Sequence, residues 1–332
     1  MKQHGLIMLI GVSLGLCNAA LAEDEADNGA MSKAQATSID QDMRLIPAGE
    51  FIRGSNKVEE TNSAGEFGNA KPWYLDEHPE HSVFLNDFYI DEHEVTNGQF
   101  REFVGQGKYK PLQYWVTNGY ILSLRRDKLA AVPVEKLRRL AVKVFRLDID
   151  TREMTKPALL DVIDKRLAYM DWLPVVYVNW HDAKAYCEWR GKRLPTEAEW
   201  EKSIRGKDGF EFAWGNQWAY GQSNTGEELW DDGVAPVGSY QGDVSPFGVL
   251  DMSGNVSEWT ADWYQSYPES DYTSKDFGEH YKVVKGAAWG GEGHYALKLF
   301  QRGAYRYNLK PESQHEDLGF RCAMDVKVAQ AE

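Results

Sequence analysis

The stretch Leu-Asp-Met-Ser-Gly-Asn-Val-Ser-Glu-Trp-Thr, residues 250–260, is the one around which we expect the fold to be organised. Two carboxylates, Asp251 and Glu258, flank a tight turn at Gly254. Calcium takes about 6–8 oxygen ligands and mixes carboxylates with backbone carbonyls. The stretch therefore predicts a calcium-binding turn, although its spacing is not that of an EF-hand loop. A plain surface turn with Trp259 anchored in the core is the alternative, since Gly and Asn dominate turns of every kind.

Composition predicts a globular protein with short, irregular elements. The chain has 332 residues, of which 42% are hydrophobic and 13% aromatic, with 30 Gly and 12 Pro. The hydrophobic fraction can fill a core, and the glycines and prolines indicate many turns. The formal net charge is −14. Because such a surface repels phosphate backbones and anionic lipids, we expect no nucleic-acid partner.

The N-terminus has the features of a secretory signal. Residues 1–22 combine a positive start, an apolar run and the small-residue sequence Ala20-Leu21-Ala22. Cys17 lies inside this segment, but Leu16 before it is too large for a lipid-anchor signal. We therefore expect an exported, periplasmic protein without a membrane span after signal cleavage.

Beyond the signal we expect one domain. Residues 23–40 are acidic and lack an apolar period, which predicts a flexible linker before a domain at 41–327 and a tail at 328–332. Inside the domain, residues 121–171 are rich in Leu, Lys, Arg and Asp. Their apolar residues recur at helical spacing at Val134, Leu137, Leu140 and Val144, and again at Leu159, Val162, Ile163 and Leu167. This insertion predicts a helical hairpin packed on the main body, with a lid or partner surface as the alternative role.

Short motifs predict the other elements. Two capping boxes, beginning at Thr96 and Thr196, start helices. A further helix near Asp182–Trp189 carries Cys187, and the strand-like run Leu318–Cys322 carries Cys322. In an oxidising compartment these two cysteines would form one disulfide; two buried thiols are the alternative.

Five motifs in this order resemble the formylglycine-generating enzyme family, also called sulfatase-modifying factors. They are Ile46–Phe51, Asp91–Asn97, Tyr186–Glu201, Gly254–Trp259 and Leu318–Cys322. The resemblance runs from about Met43 to Asp325, interrupted by the helical insertion. It implies an α+β fold, namely a single domain with little regular secondary structure and a C-type-lectin-like core. It also implies that Cys187 pairs with Cys322.

The resemblance further implies structural calcium as a cofactor. One ligand set would be Asp251, the Gly254 carbonyl, the Val256 carbonyl and Glu258. A second set would be Asn224, Thr225, Asp232 and Val234.

The catalytic positions depart from the family pattern. Family members oxidise a substrate cysteine to formylglycine with two cysteines that bind copper(I). Gly293 and Lys298 stand at those positions here, while His294 matches the family histidine. Since copper(I) requires soft ligands such as thiolates, we do not expect copper-thiolate chemistry in this chain.

Other residues near this position could carry a different activity. The glycine-rich loop at 290–294 holds Glu292 and His294, which could act as acid and base or as ligands of an unidentified metal. A flexible polar loop without chemistry is the alternative. Arg302 and Arg306 are candidates to hold an anionic substrate. We expect a maturation or oxidation factor for a small molecule, protein or peptide; a non-catalytic, calcium-stabilised binding or assembly scaffold is the alternative.

Overall fold

Short strands and helices alternate with long connecting segments throughout the chain. The computed structural model describes residues 42–59, 73–107, 109–226, 233–290 and 298–326. The strands are β1 (Met43–Ile46), β2 (Gly49–Arg53), β3 (His81–Leu85), β4 (Phe88–Asp91), β5 (Ser257–Trp263), β6 (Lys282–Lys285), β7 (Tyr307–Leu309), β8 (Leu318–Gly319) and β9 (Ala323–Asp325). The α-helices are α1 (Asn97–Gly105), α2 (Gln113–Thr117), α3 (Arg126–Leu129), α4 (Val134–Arg139), α5 (Lys156–Asp171), α6 (Trp180–Trp189) and α7 (Glu197–Arg205).

The strands form three small sheets. One sheet has the antiparallel order β1-β4-β9, so it joins the beginning of the domain to its last strand. A second sheet pairs β2 with β3. The third has the order β7-β6-β5-β8, in which β5 and β8 run parallel. β3 and β4 follow each other closely in sequence but belong to different sheets, because Asn86 and Asp87 between them are turn-forming residues.

Side-chain caps set the starts of the main helices. Thr96 accepts a hydrogen bond from the Gln99 amide, and Thr196 accepts one from the Glu199 amide, so both predicted capping boxes are present. A third box begins at Asn179 and starts α6 slightly earlier than predicted. Each box satisfies backbone donors that a helix leaves unpaired at its first turn.

The helical insertion contains more breaks than a simple hairpin. Its first half is divided into a 3-10 turn at Tyr120–Arg125, α3, α4 and a π-helical turn at Leu140–Val144. Arg146 then adopts a positive φ of 51°, which ends the helical path. The second half is the 16-residue helix α5, which packs on α4. The predicted apolar face of α5 is buried at Leu159, Ile163 and Leu167.

Aromatic rings connect α1, α2 and α6 with the last part of the chain in the core. Phe100 on α1 lies 6.0 Å from Trp115, 5.5 Å from Tyr186 and 6.4 Å from Phe320, measured between ring centroids. The predicted disulfide between Cys187 on α6 and Cys322 lies in the same core, with a Cα–Cα distance of 5.7 Å. Within the described ranges, none of the helices has the length and apolarity needed to cross a membrane.

Candidate functional site

The turn at residues 250–256 brings the two predicted calcium-ligand segments together. Asp251 and Asn255 adopt positive φ angles of 55° and 69°, which reverse the chain before β5 begins. At Gly254 a Cβ atom would lie 2.6 Å from the Asn224 carbonyl oxygen, so a larger residue would push the two segments apart. The Asn255 amide donates to that same carbonyl at 2.8 Å.

Glu258 forms an internal ion pair. Both of its carboxylate oxygens face Arg321, at 2.7 Å from Nε and 2.6 Å from Nη2, and Trp200 Nε1 donates to it at 2.9 Å. Both partners of the pair are fully buried. A calcium ion at this carboxylate would have to compete with the guanidinium, so the arrangement does not favour Glu258 as a metal ligand.

Glu94 is a site residue that the sequence reasoning missed. It is fully buried next to the turn, where its Oε1 accepts a hydrogen bond from Asn255 Nδ2 at 3.1 Å and its Oε2 has no hydrogen-bond partner. Burial and the nearby Asp251 carboxyl raise the pKa of Glu94 well above its usual range. Burial likewise raises the pKa of Asp251, whose Oδ2 accepts the Gly238 amide. A carboxylate two residues before the capping box at Thr96 was the available signal in the sequence.

The second predicted ligand set also presents an unsatisfied oxygen. Asn224 is buried, and its Nδ2 donates to the Gly233 carbonyl at 3.0 Å and to Asn255 Oδ1 at 3.1 Å. Its Oδ1 has no hydrogen-bond partner. Thr225 and Val234 are buried as well, while Asp232 lies outside the described residues.

These orphaned oxygens fit a hard cation. Buried polar atoms are nearly always satisfied, and calcium would satisfy the free oxygens of Glu94 and Asn224 with ligands of the type it prefers. In the part of the chain that is described, no three His, Cys, Asp or Glu side chains converge on a metal position. Calcium here would therefore rely on amide and backbone carbonyl oxygens in addition to carboxylates.

A cleft of about 560 Å³ is lined in part by Lys298, which follows the predicted catalytic loop in sequence. Aromatic side chains (Trp73, Tyr74, Phe212 and Trp218), cations (Lys57, Lys298 and Arg302) and one carboxylate (Glu211) contribute to its lining. Lys298 therefore stands at the cleft where the resemblance implies a thiol. Glu292 and His294, the predicted acid and base, lie outside the described residues.

The two predicted substrate-binding arginines are internal ion-pair partners. Arg302 lines the cleft, but its Nη1 and Nη2 each contact Glu77 at 2.8 Å and its Nε contacts Glu211. Arg306 is buried, and its guanidinium binds Glu197 at 2.6 Å as well as backbone carbonyls. The substrate-binding prediction is therefore corrected: both guanidinium groups are occupied by protein partners, since buried charges must be paired.

Together these features define a class: a mixed α and β domain with a C-type-lectin-like fold, cross-linked at its core and bearing one aromatic cleft. A family model described as "Sulfatase-modifying factor enzyme 1-like domain" matches residues 28–326. The chain belongs to the sulfatase-modifying factor, or formylglycine-generating enzyme, family.

A relative that is named as inactive and one whose name does not contain that word are similar to this chain to nearly the same degree. The "Inactive C-alpha-formylglycine-generating enzyme 2" of Bos taurus is 31% identical, over 85% of this chain and 87% of the relative. The "Formylglycine-generating enzyme" of Streptomyces coelicolor is 32% identical, over 85% of this chain and 89% of the relative. Overall identity therefore does not decide whether this chain is active.

Two solved structures share the fold. PvdO from Pseudomonas aeruginosa has a TM-score of 0.53 and 24% identity, over 86% of this chain and 94% of that one. Treponema denticola variable protein 1 has a TM-score of 0.54 and 19% identity, over 86% of this chain and 95% of that one. At such low identity they establish the fold alone.

Proposed function

We propose that this chain is an exported member of its family that takes part in the maturation or oxidation of a small molecule, protein or peptide, without copper-thiolate chemistry. The active position would be the cleft at Lys298. The chain's own residues would bind and orient the substrate there, and the Glu292 and His294 side chains would supply proton transfer.

The positions of the cysteines support the proposed absence of copper-thiolate chemistry. The sequence has three cysteines, of which Cys187 and Cys322 are joined to each other in the core. The third, Cys17, lies in the predicted signal. With that signal removed, no thiol would be left to hold copper(I) at the cleft, where Lys298 presents an ammonium group that cannot act as a soft ligand.

A non-catalytic, calcium-stabilised binding or assembly scaffold is the second candidate. The unsatisfied oxygens of Glu94 and Asn224 favour it, because both are buried and a structural ion could satisfy them. Calcium bound at this turn would be coordinated by these oxygens and would offset the charge of the nearby carboxylates, while Asn255 and Gly254 hold the two ligand segments in contact.

A complementation experiment separates the two candidates. A strain lacking the gene would be compared with strains carrying the wild-type chain, Glu292→Ala or His294→Ala, and the exported small molecules, proteins and peptides would be compared by mass spectrometry. Loss of a defined product, restored by the wild type but not by the variants, supports the maturation role. Full restoration by both variants removes these two side chains from the mechanism and favours the scaffold.

Export and copper chemistry need separate measurements. Fractionation of the full chain followed by N-terminal sequencing should find a periplasmic protein that begins at Glu23. The purified chain should neither bind copper(I) stoichiometrically nor convert a peptide cysteine to formylglycine. A formylglycine product would contradict the proposed absence of copper-thiolate chemistry.

A further inference from the structure

We infer that the cleft at Lys298 selects a small aromatic carboxylate, meaning a flat unsaturated ring that carries a negative charge. This inference deepens the proposed function, on which it rests, by naming the substrate class of the same cleft. It depends on three features of the lining: the distribution of charge, the exposed aromatic faces and the conformation of Tyr74.

Among the described residues of the cleft lining, one cation is left available. Glu211 is the carboxylate of the lining, and it is already bound by Arg302 and by Lys57 at 2.8 Å. The Nη1 and Nη2 groups of Arg302 donate to Glu77. Lys298 is exposed and makes no ion pair or hydrogen bond with any described residue. On a chain of net charge −14, such an unpaired ammonium attracts anions to one place.

The aromatic part of the lining is held in position. Trp214 stacks on Phe212 with ring centroids 5.2 Å apart, and its Nε1 donates to the Gln217 carbonyl at 2.9 Å. These contacts fix the segment that carries Trp218, whose side chain is 42% exposed. Trp73 is also part of the lining, and its backbone amide donates to Glu59 at 3.1 Å. The exposed indole of Trp218 therefore offers a stacking surface to a planar ring.

Tyr74 adds a conformational signal at the same cleft. Its φ of 75° lies in the left-handed region, which is costly for a residue with a large side chain. Its ring lies 4.8 Å from the guanidinium carbon of Arg302. Backbone strain of this kind concentrates at functional sites. The volume of about 560 Å³ also falls in the range of small-molecule sites.

Three probes that differ in charge test the inference with the purified full chain. Calorimetry would compare 2-naphthoate, 2-naphthylmethanol and 2-naphthylmethylamine, which share a ring system. We expect the anion to bind about tenfold more tightly than the alcohol, and the ammonium compound to bind most weakly.

Variants test separately the roles of the cation and of the aromatic surface in binding. Lys298→Met should weaken 2-naphthoate binding about tenfold and leave the affinity for 2-naphthylmethanol unchanged. Lys298→Arg should retain the preference for the anion. Trp218→Ala should weaken all three probes about fivefold. Matched controls are Lys143→Met, at an exposed lysine of the insertion, and Trp172→Ala, at a tryptophan that is 62% exposed, and neither should change binding. Since Lys298 and Trp218 are exposed, melting temperatures should confirm intact folding.

Several outcomes would overturn the inference. These are equal affinity for the three probes, no detectable binding of any of them, or unchanged 2-naphthoate affinity in Lys298→Met. Such a result leaves the proposed function standing if complementation still requires Lys298 or Trp218. Conversely, selective binding without any complementation defect would retain the inference and remove the proposed maturation role.

Discussion

Arg321 and Glu258 form a two-point ion pair in the interior, with Nε–Oε2 and Nη2–Oε1 distances of 2.7 and 2.6 Å. Arg321 also donates to the carbonyls of Leu250 and Asp251 at 3.0 and 3.3 Å. One guanidinium therefore connects the last part of the chain to both ends of the turn that was predicted to organise the fold.

Breaking this pair should be costly. Glu258→Gln leaves the Arg321 charge buried without its partner, so the free energy of unfolding should fall by about 3–5 kcal/mol in urea titrations. Glu188→Gln is the matched control, because Glu188 pairs with Lys184 on the exposed face of α6 and should contribute at most about 0.5 kcal/mol. Similar losses in the two variants would show that the internal pair does not stabilise the fold as described.

Removal of the disulfide should also destabilise the chain. Cys187 and Cys322 are 135 residues apart, and a loop of that length implies an entropic stabilisation of about 4–5 kcal/mol at most. The double variant Cys187→Ala and Cys322→Ala should lower the free energy of unfolding by several kcal/mol, measured without reductant. Cys17→Ala, inside the predicted signal, should leave the stability of the processed protein unchanged.

Calcium binding should be separable from fold stability at Glu94. At a free calcium concentration of about 100 times the dissociation constant, calcium should stabilise the wild type by about 2.7 kcal/mol, measured in thermal melts. Glu94→Gln should reduce this response, because the amide lacks the negative charge of the carboxylate.

Without calcium the same variant should be at least as stable as the wild type at neutral pH. The reason is that burial raises the pKa of Glu94, so a neutral side chain is favoured at this position. An undiminished calcium response in Glu94→Gln would exclude Glu94 as a ligand.

Acid should destabilise the fold through Glu201. Burial alone would raise the pKa of this carboxyl, but Lys285, Arg205 and Arg53 hold it at about 2, below its ordinary value of 4.5. Because the folded pKa is lowered, the stabilisation is present above pH 4.5 and is lost as the pH falls towards about 2.

The expected loss from this group is roughly 3 kcal/mol. Urea titrations across this range should show a steeper loss for the wild type than for Glu201→Gln, which is less stable at neutral pH but has no charge to lose there. Parallel curves would contradict the role assigned to Glu201.

Copper(I) binding should be recoverable by restoring thiols. The double variant Gly293→Cys and Lys298→Cys places two soft ligands at the positions that the family resemblance implies. Anaerobic competition with a copper(I) chelator should find one ion bound per chain in the double variant. The wild type and each single variant should bind far more weakly, and equal affinity in all four proteins would contradict the alignment of these positions.

Local signals predicted the fold well where they act over a few residues. The boxes at Thr96 and Thr196 act within a single helical turn, so both helix starts were predictable. The pairing of strands was less accessible, because β4 lies between β1 and β9 through contacts that span most of the chain. The predicted strand at Leu318–Cys322 is formed only at β8, and β9 begins just after it at Ala323, in a different sheet.

The sequence indicated the kinds of residue at the candidate site but not their contacts. The sequence indicated that acidic and amide oxygens meet at one turn. It did not indicate that Arg321 forms an ion pair with Glu258, or that one oxygen of Glu94 lacks a hydrogen-bond partner. Arg302 and Arg306 seemed available because their partners Glu77 and Glu197 are more than 100 residues away in sequence. Such pairings depend on three-dimensional packing, which no local pattern records.

The order of the sheet β1-β4-β9 has a consequence for synthesis. Its middle strand, close to the beginning of the domain, keeps one unpaired edge until residues 323–325 are available to join it. A nascent chain thus carries an incomplete sheet until its last strand has been synthesised. Closure of the domain is a late event, and a chain interrupted before residue 323 would expose a strand edge to other polypeptides.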